Sequence, residues 1–180
     1  MPFDQEQRGI LRGSALALMC AIAVISAGYA WLPARWFGLN DAMTTDDQIA
    51  FALKAYLALF IWLAWSVRSV SSRRFRSPID RKGAAFGPSS EEIAIPKALL
   101  QNSLEQTVLA VGAHLVLATV LRGAELVVIP LLVALYLLGR VSFSLRYSRG
   151  AAQRSFGMAL TASPSVASYV VAAGLILVGR

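Results

Sequence analysis

Apolar residues fall into five long blocks along this chain, roughly Ser14 to Leu32, Ile49 to Val67, Ala98 to Leu121, Glu125 to Leu145 and Met158 to Val178, with polar connectors between them. A hydrocarbon core of about 30 Å needs about 20 residues of apolar helix, and each block is long enough. The pattern therefore predicts an all-α integral membrane protein with five spans. Proline positions refine the elements. Pro96 is expected in the first turn of the third helix, where its missing N–H is no loss. Pro130 should kink the fourth span, and Ser163-Pro164 should interrupt the start of the fifth. Ser89 and Glu92 have the spacing of a capping box for one turn of helix in the long connector.

Composition agrees with the pattern: 57% of the residues are hydrophobic, 15% are charged, and the mean hydropathy is +0.59. A soluble fold of 180 residues would leave large apolar patches uncovered. The net charge of +7 would suit a nucleic acid, but its distribution favours a bilayer. From Arg68 to Lys97 seven basic residues face three acids, and the connector after the fourth block carries Arg146, Arg149 and Arg154 with no acid. The connector after the first block has Arg35 against Asp41, Asp46 and Asp47. Basic loops stay on the cytoplasmic side. The N-terminus is thus expected inside and the C-terminus outside, with lipid headgroups as partners and no nucleic acid. Trp31, Trp36, Trp62 and Trp65 flank the first two spans as interface anchors, and Lys54 and Glu125 are expected to snorkel at the outer face. Gly28-Tyr29-Ala30 has the form of a signal-peptide cleavage site, but Asp4 and Glu6 cancel the positive charge such a leader needs, so the first span reads as retained.

Candidate chemistry is sparse. Cys20 lies mid-span, where a thiol packs as a small apolar group and is a poor nucleophile. No metal-ligand spacing or phosphate-binding glycine loop occurs. His114, deep in the third span, reads as a hydrogen-bonded packing residue rather than a ligand. More informative is Glu105, because a carboxylate inside a span costs a few kcal/mol and is by default paired or functional. Asn102 lies three residues before it, on roughly the same face. Arg140, Tyr147 and Arg154 recur every seven residues and align if the fourth helix continues through Gly150. Both sets reach the same depth on the basic side. Arg140 is the expected neutraliser of Glu105, and the surplus cations, Arg149 and Arg154 among them, suit an anionic ligand. The same residues would equally serve to glue helices together and hold lipid phosphate.

The segments "NSLEQTVLAV" and "GRVSFSLRYSRGAAQRSFGMAL" resemble the MAPEG superfamily, the membrane-associated proteins in eicosanoid and glutathione metabolism, and especially its bacterial members. Asn102 and Glu105 match an Asn-x-x-Glu core, while Gly139, Arg140, Tyr147, Arg149, Gly150, Arg154 and Gly157 match the second motif. The likeness covers roughly Ile49 to Val178. It implies a left-handed four-helix transmembrane bundle at 49–180, assembled as a homotrimer, with residues 1–48 as an additional N-terminal helix and outer loop that is a candidate for contact with another protein. It further implies glutathione as cosubstrate, bound between subunits near the cytoplasmic side of a bacterial inner membrane, and a transferase or peroxidase acting on lipophilic electrophiles. On that resemblance Arg140, Tyr147 and Arg154 are the catalytic candidates, and Asn102, Glu105 and Arg149 the glutathione-binding ones. Active members usually carry an arginine and a histidine where this chain has Ala98 and Leu100. That departure supports the alternative of a noncatalytic lipid-binding or scaffold protein on the same fold.

Overall fold

A computed structural model describes residues 3–180 of the protein. Five long helices carry it: α1 (Gln5–Trp31), α2 (Thr45–Arg76), α3 (Glu91–Val120), α4 (Val128–Arg146) and α5 (Ala151–Leu177). All five spans have the length and apolar composition to cross a membrane. This is an integral multi-pass membrane protein of all-α class. The helices run past the apolar blocks because hydropathy marks only what lies in hydrocarbon. At 1.5 Å per residue the 32 residues of α2 reach about 48 Å, so its Arg68 to Arg76 end extends into the basic connector.

Helices α2 to α5 pack as a bundle, and α1 lies along α5 and α4. One core joins α2, α3 and α4 through Tyr56, Leu59, Ala110, Leu117, Ile129 and Tyr136. A second, smaller core joins Ala17 and Ala21 of α1 to Leu135 of α4 and Leu160 of α5. With lipid tails as apolar as leucine, close packing of small residues takes the place of a hydrophobic driving force between helices. The tightest crossing is between α4 and α5. A Cβ added to Gly157 would meet the backbone nitrogen of Phe143 and come within 2.7 Å of the Gly139 carbonyl oxygen.

Helix starts follow local hydrogen bonding. Asp4 and Gln7 form a reciprocal capping box on α1, as do Thr44 and Asp47 on α2. The expected Ser89–Glu92 box does not form. Ser90 is the N-cap of α3, and its N–H and hydroxyl both donate to the Asp80 carboxylate, at 2.9 and 2.6 Å. Asp80 thus anchors the start of α3 seven residues ahead of Ala98, and Pro96 falls in the helix interior instead of its first turn. Pro130 is the third residue of α4, in a first turn where it needs no kink, and α5 runs through Pro164 without interruption. The Ser168 hydroxyl donates to the Pro164 carbonyl at 2.8 Å.

Hydrogen bonds from Ser77 and Ser90 hold the Asp80 carboxyl below its ordinary range. A depressed carboxylate contributes stability that is complete above its unfolded value of about 4 and is lost as pH falls through the folded value. Asp80→Ala should therefore speed hydrogen exchange at residues 90–93 at neutral pH and flatten the acid dependence of their protection. Equal protection of wild type and variant across that range would show that Asp80 does not anchor α3.

Three polar expectations change. Glu125 does not snorkel: it accepts the Arg122 N–H at 2.9 Å and pairs with Arg180 at 2.9 Å. Trp62 is half-buried and donates to the Ser103 hydroxyl at 3.3 Å, whereas Trp31, Trp36 and Trp65 are exposed. His114 packs, 6.2 Å from the Tyr56 ring, but both of its ring nitrogens lack a partner.

Candidate functional site

The site begins where α4 ends. After Arg146 the chain makes a single 3-10 turn, Tyr147–Arg149, and Gly150 takes φ 98°, ψ 168° before α5 starts. Glycine is the residue that tolerates this conformation at no steric cost. The heptad alignment of Arg140, Tyr147 and Arg154 on one continuous helix is therefore not realised. The turn nevertheless folds Arg154 back onto Tyr147. Its guanidinium lies 4.6 Å from the Tyr147 ring centroid and donates to the Tyr147 carbonyl at 3.5 Å. A guanidinium over an aromatic face is attracted by the ring quadrupole and held in a defined place.

Arg140 is completely enclosed. Its Nε donates to the Thr161 hydroxyl at 3.2 Å, one terminal nitrogen donates to Asn102 Oδ1 at 2.6 Å, and the other approaches the Met158 sulfur at 3.9 Å. The guanidinium also lies 4.5 Å from the Phe143 ring centroid, and Phe143 stands edge-on to Tyr147 at 5.4 Å. Asn102, Arg140, Phe143, Tyr147 and Arg154 thus form one continuous chain of contacts from α3 through α4 to α5.

Glu105 does not pair with Arg140. It is exposed and accepts from Gln101 at 2.9 Å on its own helix. Three residues turn a helix through about 300°, and the remaining 60° separates the two side chains: Asn102 turns into the bundle and Glu105 onto its surface. Among the described residues the one salt bridge joins Glu125 and Arg180, so Arg140 is a buried cation with no carboxylate partner. Arg149 is exposed on the 3-10 turn, apart from the other candidates.

Beside the chain of contacts lies a cavity of about 470 Å³. Asn102, Phe143, Tyr147, Arg154 and Met158 line it, and no carboxylate does. A volume of several hundred Å³, apolar walls and a few convergent donors are the usual features of a small-molecule site. A larger groove of about 780 Å³ opens at the opposite end of the bundle, but it carries Asp47 with Lys54, whose charges offset, and none of the motif residues. Met158 and Thr161 were not singled out from sequence. They follow Arg154 at i+4 and i+7, one face of α5, and that spacing was the available signal.

No curated protein and no solved structure matches the chain. The model of the MAPEG family matches residues 49–174, which spans α2, α3, α4 and most of α5 and includes each of the motif residues. The chain belongs to the MAPEG family.

Proposed function

We propose that the protein is a membrane-bound glutathione-dependent transferase or peroxidase for lipophilic electrophiles. The family includes glutathione-dependent transferases and peroxidases. The observation that carries the reading is a cavity edged by Arg154 and Tyr147, backed by the unneutralised Arg140, with no acid in its lining. Such a site attracts a peptide that bears carboxylates and a thiol that must ionise. Arg154, fixed over Tyr147, supplies the cation. A positive charge beside a thiol lowers its pKa and raises the thiolate fraction near neutral pH. In the transferase reaction the thiolate sulfur bonds to the electrophilic carbon while the bond to the leaving group breaks, and the displaced anion remains in a positive field. Arg140 acts as a positioning residue, holding Asn102 by its oxygen so that the amide nitrogen is left to donate to the ligand. The Tyr147 hydroxyl is a further donor.

Assembly as a homotrimer belongs to the same reading. Glu105 on the outer face of α3, bonded only to Gln101, would be costly against lipid and is better covered by a neighbouring subunit. The basic connectors support a bacterial inner-membrane placement with the N-terminus cytoplasmic. Division into 1–48 as an added helix and loop and 49–180 as the bundle is consistent with a family match that starts at residue 49. The complete enclosure of Arg140 favours a second reading, a noncatalytic lipid-binding or scaffold protein, because that cation is engaged within the fold.

Thioether formation from glutathione and 1-chloro-2,4-dinitrobenzene by the detergent-purified protein tests the choice. Measurable turnover that falls about tenfold or more in Arg154→Ala, the loss expected for one charge-assisted contact, supports the enzyme. No turnover by folded wild type with this or larger aromatic electrophiles would favour the second reading.

A further inference from the structure

Helix α1 lies outside the family match, which begins at residue 49, yet it reaches the cavity of the candidate site. Ile10 and Ser14, one helical turn apart and both half-buried, line it together with Met158 and Ala159 of α5. The neighbouring row of α1 explains how they get there. A Cβ at Gly9 would lie 2.7 Å from the Ala152 side chain, and one at Gly13 would meet the Ser155 hydroxyl. The two glycines therefore set α1 directly against the first turns of α5 and leave the adjacent row facing the cavity. Further along that face, Ala17 and Ala21 are buried against Leu135 and Leu160, which fixes α1 on α4 and α5. On the side that α1 covers, the ligand meets protein rather than lipid.

We infer that α1 is the specificity wall of this site: Ile10 and Ser14 limit the girth and length of the apolar body that can lie between α1 and α5 while the reacting end sits at Arg154 and Tyr147. The inference rests on reading the cavity as the ligand site, and it names the ligand class more closely. The cavity takes an electrophile with a slender apolar body, because beyond Arg154 and Asn102, which hold glutathione, the wall is mainly apolar. Its selectivity is set by a helix outside the family match. One methylene too many or too few in an apolar pocket changes transition-state binding about 10- to 200-fold.

Two readouts test this on the full-length protein in detergent. The first is kcat/KM for glutathione conjugation of two chlorodinitrobenzenes that share the reacting ring, one compact and one bearing an octyl chain. Ser14→Trp, which fills the cavity, should lower the octyl-to-compact ratio at least tenfold. Ile10→Ala, which enlarges it, should raise that ratio several-fold, and Leu18→Trp on the lipid-facing side of α1, where Leu18 is exposed, should leave it unchanged. The second is photolabelling with a diazirine-bearing octadecanoate. Label should map to residues 10–14 and the start of α5 in wild type and be lost in Ser14→Trp. Wild type that conjugates, with ratios within twofold in both cavity variants, would overturn the wall while leaving the enzyme reading intact. Labelling that Ser14→Trp abolishes, in a protein that conjugates nothing, would support the wall and count against the enzyme. Label spread over the lipid-facing side of α1 and insensitive to Ser14→Trp would overturn the wall directly.

Discussion

Gly157→Ala is expected to lower the stability of the bundle by about 3 kcal/mol or more, the upper end of what overpacking a tight interface costs. The methyl group would meet the Phe143 backbone nitrogen and lie 2.7 Å from the Gly139 carbonyl oxygen and 2.8 Å from the Phe143 Cα. None of these atoms can rotate away, so relief requires α4 and α5 to move apart. That movement separates Arg140 from Thr161 and Arg154 from Tyr147, and ligand binding should fall with stability. Gly174→Ala is the comparison. It is on the same helix, its added Cβ has no neighbour within 4 Å, and it should be neutral or stabilising by up to about 1 kcal/mol through helix propensity. Unfolding in mixed micelles with increasing dodecyl sulfate compares the two. Equal stability of both variants would mean that the α4–α5 crossing is looser than 2.7 Å contacts allow.

Arg140→Ala is expected to cost about 2–4 kcal/mol of stability whether or not the protein is an enzyme. The change removes donors to Asn102 on α3 and Thr161 on α5 and opens a void where a fully enclosed side chain stood. Loss of the Asn102 partner costs about 1–3 kcal/mol, Thr161 keeps its bond to the Gly157 carbonyl at 2.9 Å, and the unfilled cavity adds to the cost. Relief from a buried, unneutralised cation offsets part of that sum, and the void together with the lost Asn102 contact outweighs it. Lysine should not rescue, since its three donors share one nitrogen and cannot reproduce the planar fork that reaches Thr161 from Nε and Asn102 from a terminal nitrogen. The same dodecyl sulfate titration reads the effect. Unchanged stability with lost ligand binding would assign Arg140 directly to the ligand instead of to positioning Asn102.

Most of the fold was legible because the bilayer imposes it. Twenty apolar residues in hydrocarbon have to be helical, so five blocks gave five helices. The ends were less legible, because they depend on contacts between distant residues: no local pattern says that Asp80 will take both donors of Ser90 and start α3 early. The site was legible in part. Composition and spacing brought Asn102, Arg140, Tyr147 and Arg154 to one depth, and the structure joins them. Pairing was not legible, since helical spacing leaves Glu105 within 60° of Asn102 without stating on which side of the bundle edge each falls. Arg149 shows the same limit: it sits in the motif but on the exposed turn that Gly150 terminates. Ile10 and Ser14 had no signal in the chain, because a wall made by α1 exists only once α1 is laid on α5.

The binding of glutathione itself is the most direct test. Calorimetric titration of glutathione into the detergent-purified wild type and Arg154→Ala proteins should give saturable binding in the first and binding weakened about tenfold or more in the second, as for loss of a charge-assisted contact. Folded wild type that takes up no heat of binding at millimolar glutathione, or an Arg154→Ala protein that binds as tightly as wild type, would contradict a positively charged glutathione site at Arg154.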